Sequence, residues 1–145
     1  MPRFLRELTV QYGRIERPEA FQYNNAEDVF RAFKHLARKP REHVAAILLD
    51  GKNRSVAYET VAIGTNQASL VSAANVFQGA LLANATRLIL VHCHPSGDPT
   101  PSLEDRRMTT RIRAIGELLG IELIDHVIIA GVGFYSFSDH DQFTP

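Results

Sequence analysis

The sequence predicts an α/β domain, a mixed β-sheet covered by helices on both faces. Three observations predict it. Apolar, β-prone runs such as Leu88-Ile89-Leu90-Val91 read as buried strands. Segments whose apolar residues recur at helical spacing lie between such runs. The turn Asp50-Gly51-Lys52-Asn53 joins two strand-like runs and signals a hairpin. The resulting order, α-β-β-α-β-α-β-β, packs as helical layers on one sheet.

Residues 1–23 read as an N-terminal arm with a strand at Leu8 to Tyr12. Arg3, Arg6, Arg14 and Arg17 alternate there with Glu7, Glu16 and Glu19, the pattern of a solvated segment rather than a nucleic-acid arm. Residues 24–145 read as one domain. Asn24 or Asn25 caps a helix reaching about Arg38, with Asn24 and Glu27 as the capping pair. Val29, Phe30, Phe33, Leu36 and Ala37 form its core-facing stripe. Strands follow at about 42–50 and 54–63, then a helix at about 72–85. The strand ending at His92 comes next. Ser102 opens a helix over about 102–119, and Gly120 is placed to close it. Strands at about 121–130 and 133–138 complete the order.

Composition narrows the function classes. With 145 residues and 45% apolar content, the chain can bury a core and is not disordered. Sixteen basic and sixteen acidic residues balance, so no global field draws it to nucleic acid. One cysteine permits no internal disulfide and suits a reducing compartment. No apolar run approaches the roughly 18 residues of a membrane span, and no signal peptide is legible; a cytoplasmic protein is expected.

The run His92-Cys93-His94-Pro95-Ser96-Gly97-Asp98-Pro99-Thr100-Pro101-Ser102-Leu103-Glu104-Asp105 carries the chemistry. Strand alternation points His92 and His94 one way and Cys93 the other. Three prolines stiffen the loop that follows. Ser102 and Asp105 share a helical face and can both look back at the histidines. Two imidazoles and a carboxylate are zinc-ligand types, and three such ligands leave one position open for chemistry. Ser102 to Asp105 also reads as an ordinary capping arrangement. The conjunction of the elements favours a metal site.

These residues resemble the JAMM metal-site pattern of the MPN/JAB metallopeptidase superfamily. They resemble its bacterial RadC branch most closely, whose hallmark is H-N-H-P-S-G, then Pro-Ser and Asp. Gly64-Thr65, the segment Leu119-Gly120-Ile121 with Leu123-Ile124-Asp125-His126-Val127-Ile128, and Ser136-Phe137-Ser138 extend the similarity over about residues 8 to 142. The resemblance implies a single MPN/JAB-like, cytidine-deaminase-like domain, in a short form lacking the N-terminal helix-hairpin-helix region of longer relatives. It implies that His92, His94 and Asp105 ligate zinc and that Glu42 is the general base. It also implies that Ser102 hydrogen-bonds the substrate carbonyl or its oxyanion. Glu59, in the next strand, is the other carboxylate considered; the family pattern places the base at Glu42. Two departures stand out: Cys93 replaces the usual Asn, and Ser72-Ala73-Ala74-Asn75 replaces H-P-R-E.

The expected function is therefore zinc-dependent hydrolysis of a peptide or isopeptide bond, with a peptide or protein as substrate. The alternative is a RadC-like accessory or binding protein tied to DNA repair or mobile elements, where nucleic acid enters only through the family label. A zinc nucleobase deaminase would need H-x-E and a later P-C-x-x-C, which one cysteine cannot provide. Arg106 and Arg113 share a helical face and could meet an acidic substrate or simply be solvated. Asp125-His126 reads as a structural or ligand-supporting pair. His35, His43 and His140 show no ligand spacing. Sequence alone leaves the oligomeric state open.

Overall fold

The computed structural model describes residues 5–13, 22–64 and 71–140. Five strands form one sheet: β1 (Glu42–Leu49), β2 (Ser55–Gly64), β3 (Arg87–Cys93), β4 (Glu122–Ala130) and β5 (Gly133–Ser136). Their spatial order is β2-β1-β3-β4-β5. Only β3 and β4 pair in parallel; the other three pairings are antiparallel. Parallel neighbours need a long crossover, and α3 (Leu103–Leu119) supplies it. The sheet is thus mixed, as the order of elements predicts.

Alternation along β1 and β3 divides the core into two layers. Val44, Ala46, Leu48, Leu88 and Leu90 face α2 (Ala73–Leu82) and α3, where Val76, Phe77, Met108 and Ile112 meet them. Ile47, Leu49, Ile89, Val91 and Cys93 face α1 (Ala26–Phe33) and its Val29 and Phe33. Strands buried on both faces read as continuous apolar runs, which is why β1 and β3 stand out in the sequence.

Local signals set most of the boundaries. Asn25 caps α1 through Oδ1, which accepts from the Asp28 N–H at 2.9 Å. Asp28 Oδ2 accepts from the Asn24 N–H in return, so the reciprocal pair sits one residue later than Asn24 with Glu27. The α-helix ends at Phe33, and Lys34–Arg38 tightens into a 3-10 turn that still buries Leu36. Ser102 and Asp105 form a full capping box at the start of α3. Gly120 ends that helix at φ +72, a left-handed conformation that glycine adopts without a Cβ penalty.

The expected strand at Leu8 to Tyr12 does not form. Leu8, Val10 and Tyr12 remain 77%, 45% and 60% exposed, so their alternation has no buried face to fix a register. Val10 to Gly13 instead line a cleft beside β2, the edge strand. The packed unit includes Tyr23, which is buried, and Gln22, which bridges Arg54.

Asp125 ties the end of the chain to β4. Its Oδ1 accepts from the N–H groups of His126 at 2.7 Å and Ser138 at 2.9 Å, and its Oδ2 accepts from Ser136 Oγ at 2.7 Å. Burial nevertheless leaves this carboxyl above the usual carboxylate range. Asp125→Ala would strand the buried donors of His126 and Ser136, and each buried unsatisfied donor costs about 1–3 kcal/mol. Urea denaturation is expected to show a loss of about 3 kcal/mol or more. A change within about 0.5 kcal/mol, the ordinary range for surface sites, would refute the structural role of this carboxylate.

Candidate metal centre

The end of β3, the start of β1 and the start of α3 converge on one spot. Antiparallel pairing aligns Val44 with His92, which puts the beginning of β1 beside the end of β3. His92 and His94 emerge on the same side, their ring centroids 4.8 Å apart. Cys93 goes to the α1 layer, as alternation requires. There its Sγ accepts from the His43 N–H at 3.2 Å and donates to the Arg41 carbonyl at 3.5 Å. The thiol is therefore engaged on the face opposite the imidazoles, and burial pushes its pKa up.

Asp105 lies between the two imidazoles. Its Oδ1 is 3.2 Å from His92 Nδ1 and its Oδ2 is 3.2 Å from His94 Nε2. Oδ2 also accepts from the Ser102 N–H at 2.8 Å. Glu42 Oε2 approaches the other nitrogen of His92, Nε2, at 3.5 Å. Glu42, His92 and His94 each offer a donor atom within 4.8 Å of the others, a grouping able to hold a metal ion. All five predicted site residues meet here, since Ser102 caps the same helix that presents Asp105.

Access is graded. The side chains of His92 and Asp105 are 1% exposed, His94 is 11% exposed and Glu42 is 24% exposed. A ligand reaching the centre would thus arrive past Glu42 and His94.

The electrostatics follow from this packing. For Asp105, burial alone would raise the pKa, but His92, His94 and the Ser102 N–H hold it far below the usual carboxylate range. Burial pushes both histidines down, and their carboxylate neighbours more than reverse it: Asp105 and Glu42 raise His92, and Asp105 raises His94 with help from the Asp98 carbonyl. That carbonyl lies 2.9 Å from His94 Nδ1 and can only accept, so Nδ1 carries a proton and Nε2 is the nitrogen turned toward Asp105 and the centre.

His92 supplies the test of fit. Both its ring nitrogens are buried and neither has a hydrogen-bond partner with proper geometry. Buried polar atoms are normally satisfied, so such an orphan pair needs an explanation. A cation held among imidazole and carboxylate donors provides one, and a mixed N/O donor set suits a borderline divalent ion.

Other parts of the surrounding shell are not written in the motif. His126 is fully buried and its ring lies parallel to those of His92 and Phe137. Thr109 Oγ1 donates to the Asp105 carbonyl, so His126 Nδ1, 2.6 Å away, donates to Thr109. Burial pushes His126 down to about 3, which keeps it neutral at physiological pH. Asp125-His126 is therefore structural through Asp125 and supports the site through His126. The Asp98 contact uses a backbone carbonyl and left no residue-type signal to find. Arg113 pairs with Glu117 at 3.8 Å, while Arg106 is exposed. His35 and His140 are exposed, His43 is partly buried, and none of the three joins the cluster.

The fold and this donor group define an α/β domain with a candidate metal centre at the end of its central strands. The family model described as RadC-like JAB domain matches residues 23–142, and the chain belongs to that family. It is 42% identical over 114 residues to a UPF0758 protein of Thermotoga maritima, covering 79% of this chain and 51% of that one. A UPF0758 protein of Geotalea uraniireducens is 41% identical over 134 residues, 92% of this chain and 59% of that one. One from Desulforamulus reducens is 48% identical over 96 residues, 66% of this chain and 42% of that one. The chain thus spans about half the length of the curated relatives it matches. Among the described residues, no helix is long and apolar enough to cross a membrane.

A divalent ion that binds only the folded protein stabilises it by mass action, by about 2.7 kcal/mol when free ion is a hundredfold above Kd. Zinc added to chelator-stripped protein is expected to raise the melting temperature, and His94→Ala should abolish the rise. An equal rise in the variant would place the binding elsewhere.

Proposed function

We propose that this domain is a zinc-dependent hydrolase of amide bonds, acting on a peptide or isopeptide carbonyl in a peptide or protein substrate. The observation that carries the reading is His92, a buried imidazole with two orphaned nitrogens set between the carboxylates of Asp105 and Glu42. His92, His94 and Asp105 would hold the ion. When bound, zinc supplies Lewis-acid polarisation and acidifies a coordinated water. The remaining work falls to the chain's own groups.

Glu42 is the most exposed of the four acid and imidazole groups and borders the centre, with Oε2 3.5 Å from His92 Nε2. It is placed to take a proton from water and to return it to the departing amine nitrogen. Ser102 Oγ already accepts from the Asp105 N–H at 3.0 Å, which fixes the hydroxyl and leaves its proton to donate to the substrate carbonyl oxygen. Asp105, tied to the helix start, keeps both imidazoles oriented. The buried, unbridged Cys93 fits a reducing, cytoplasmic setting.

The test combines metal analysis with turnover on a panel of peptides and isopeptides. Wild-type protein should carry about one zinc per chain and cleave a member of the panel. Glu42→Gln should retain the metal and lose activity by about 10²–10⁴-fold, the usual worth of a positioned acid–base group. His94→Ala should lose both. Failure of the wild type to take up zinc would sink the hydrolase reading and leave a binding module. Full activity in Glu42→Gln would remove Glu42 from the role of base.

A further inference from the structure

A second feature lies away from the metal centre, on the edge of the sheet. Glu59 pairs with Ala46, four residues along β1 from Glu42, a separation of roughly 13 Å at strand rise. Its side chain lies against α2. Oε1 is buried and has no hydrogen-bond partner among the described residues. Burial raises the carboxyl above its usual range. The residue as a whole stays partly exposed and lines a cleft of about 560 Å³.

The helix is cut to admit this carboxylate. A Cβ at position 79 would collide with Glu59 Oε1 and would lie 2.6 Å from Cδ and 2.8 Å from Oε2. Any side chain at position 79 would push the carboxylate, the far end of a flexible side chain, out of this place. Glycine inside a helix costs about 1 kcal/mol relative to alanine. A desolvated carboxylate without a partner costs more. A helix glycine beside a carboxylate oxygen without a partner departs from local rules, and such departures are expected at functional or strained sites. The cleft has the size of a small-molecule site. Its walls are amphipathic: Tyr12, Tyr58, Val56 and Leu82 flank Glu59.

We infer that this cleft binds a primary alkylammonium group, with Glu59 as its counter-ion and the apolar walls as the bed for its carbon chain. The cation must be compact. With Oε1 closed off against α2, the carboxylate cannot receive a guanidinium through both oxygens, which is the geometry that favours arginine. An ammonium needs one oxygen only, and its stem packs on apolar surface. Two sources share this chemistry: a free di- or polyamine, and the lysine side chain of a protein. The site does not depend on the hydrolase reading.

The experiment is a ¹H–¹⁵N NMR titration of the full chain, read at the amides of Gly79, Leu82 and Ala57. Pentylammonium should give saturable shifts there. 1-Pentanol, of the same shape without charge, and Nα-acetyl-arginine methylamide should bind about tenfold more weakly or worse, the value of one charge-assisted hydrogen bond. Glu59→Gln should lose the preference for the ammonium while its spectrum stays folded and its zinc uptake stays unchanged. Gly79→Ala should lose it as well, by displacing the carboxylate. Tighter binding of 1,5-diaminopentane than of Nα-acetyl-lysine methylamide would point to a free amine, and the reverse order to a protein lysine. Absence of saturable shifts with pentylammonium, equal binding of pentanol, or unchanged binding in Glu59→Gln would each overturn the proposal.

Discussion

One carboxylate joins the two halves of the candidate centre. Asp105 opens α3 by accepting from the Ser102 N–H, and the same side chain reaches His92 and His94 at the end of β3. A buried anion is costly by itself. Here the positive end of the helix, a backbone N–H and two imidazoles stabilise it together, which is why its pKa is held so low. The proline-rich loop between His94 and Ser102 has only to span a gap whose two sides are already tied. The His94 N–H anchors its start to the Ile129 carbonyl of β4, and its other bonds are local: the Gly97 N–H to the His94 carbonyl, the Asp98 N–H to Ser96 Oγ and the Thr100 N–H to Asp98 Oδ1. The helix cap and the contacts to the two imidazoles are made by one side chain, so they are one arrangement and not rival readings of the same residues.

The sheet separates this chemistry from the core by parity. His92 and His94 turn toward α3, while Cys93 turns into the apolar layer under α1. This lets a cysteine stand in place of the asparagine in the H-N-H pattern that the sequence resembles. An asparagine there has an amide with several donors and acceptors to satisfy, whereas a thiol behaves as a small hydrophobe with weak demands. The two contacts to His43 and Arg41 meet those demands. The substitution changes the back of the strand and leaves the face that carries His92 and His94 alone. No contact in the structure explains the Ser72-Ala73-Ala74-Asn75 segment beyond its capping role, in which Ser72 accepts from the Asn75 N–H.

Legibility followed the physics of each signal. Strands β1 and β3 are apolar on both faces, so their existence was plain and their ends fell within a residue or two. The convergence of His92, His94 and Asp105 was legible because strand alternation and helix spacing are rigid rulers. The failure at Leu8 to Tyr12 came from reading alternation without knowing whether a buried face existed to receive it. The shift of the α1 capping pair by one residue reflects two adjacent asparagines with equal propensity. Three features were beyond sequence reasoning altogether. The Asp98 carbonyl on His94, the Thr109–His126 bond and the Glu59–Gly79 contact each depend on tertiary placement of groups that carry no motif.

Buried polar atoms without partners occur at three places among the described residues, and their surroundings differ in a way that sorts them. His126 Nε2 is one. Its ring is wholly enclosed, parallel to those of His92 and Phe137, and Nδ1 already donates to Thr109. A neutral imidazole there loses one acceptor bond and gains a flat surface against a ligand histidine; packing is a sufficient reason. His92 is another. It lies beside two carboxylates, with a partly exposed one on the approach side, so its orphaned nitrogens are explained by a cation. Glu59 is the third: its Oε1 is closed off against α2, while the residue as a whole lines a cleft. Closed surroundings call for no ligand, a donor set calls for a metal ion, and a lone carboxylate beside apolar walls calls for an organic cation. The same defect thus occurs in three different surroundings, and the surroundings of each residue decide how it is read.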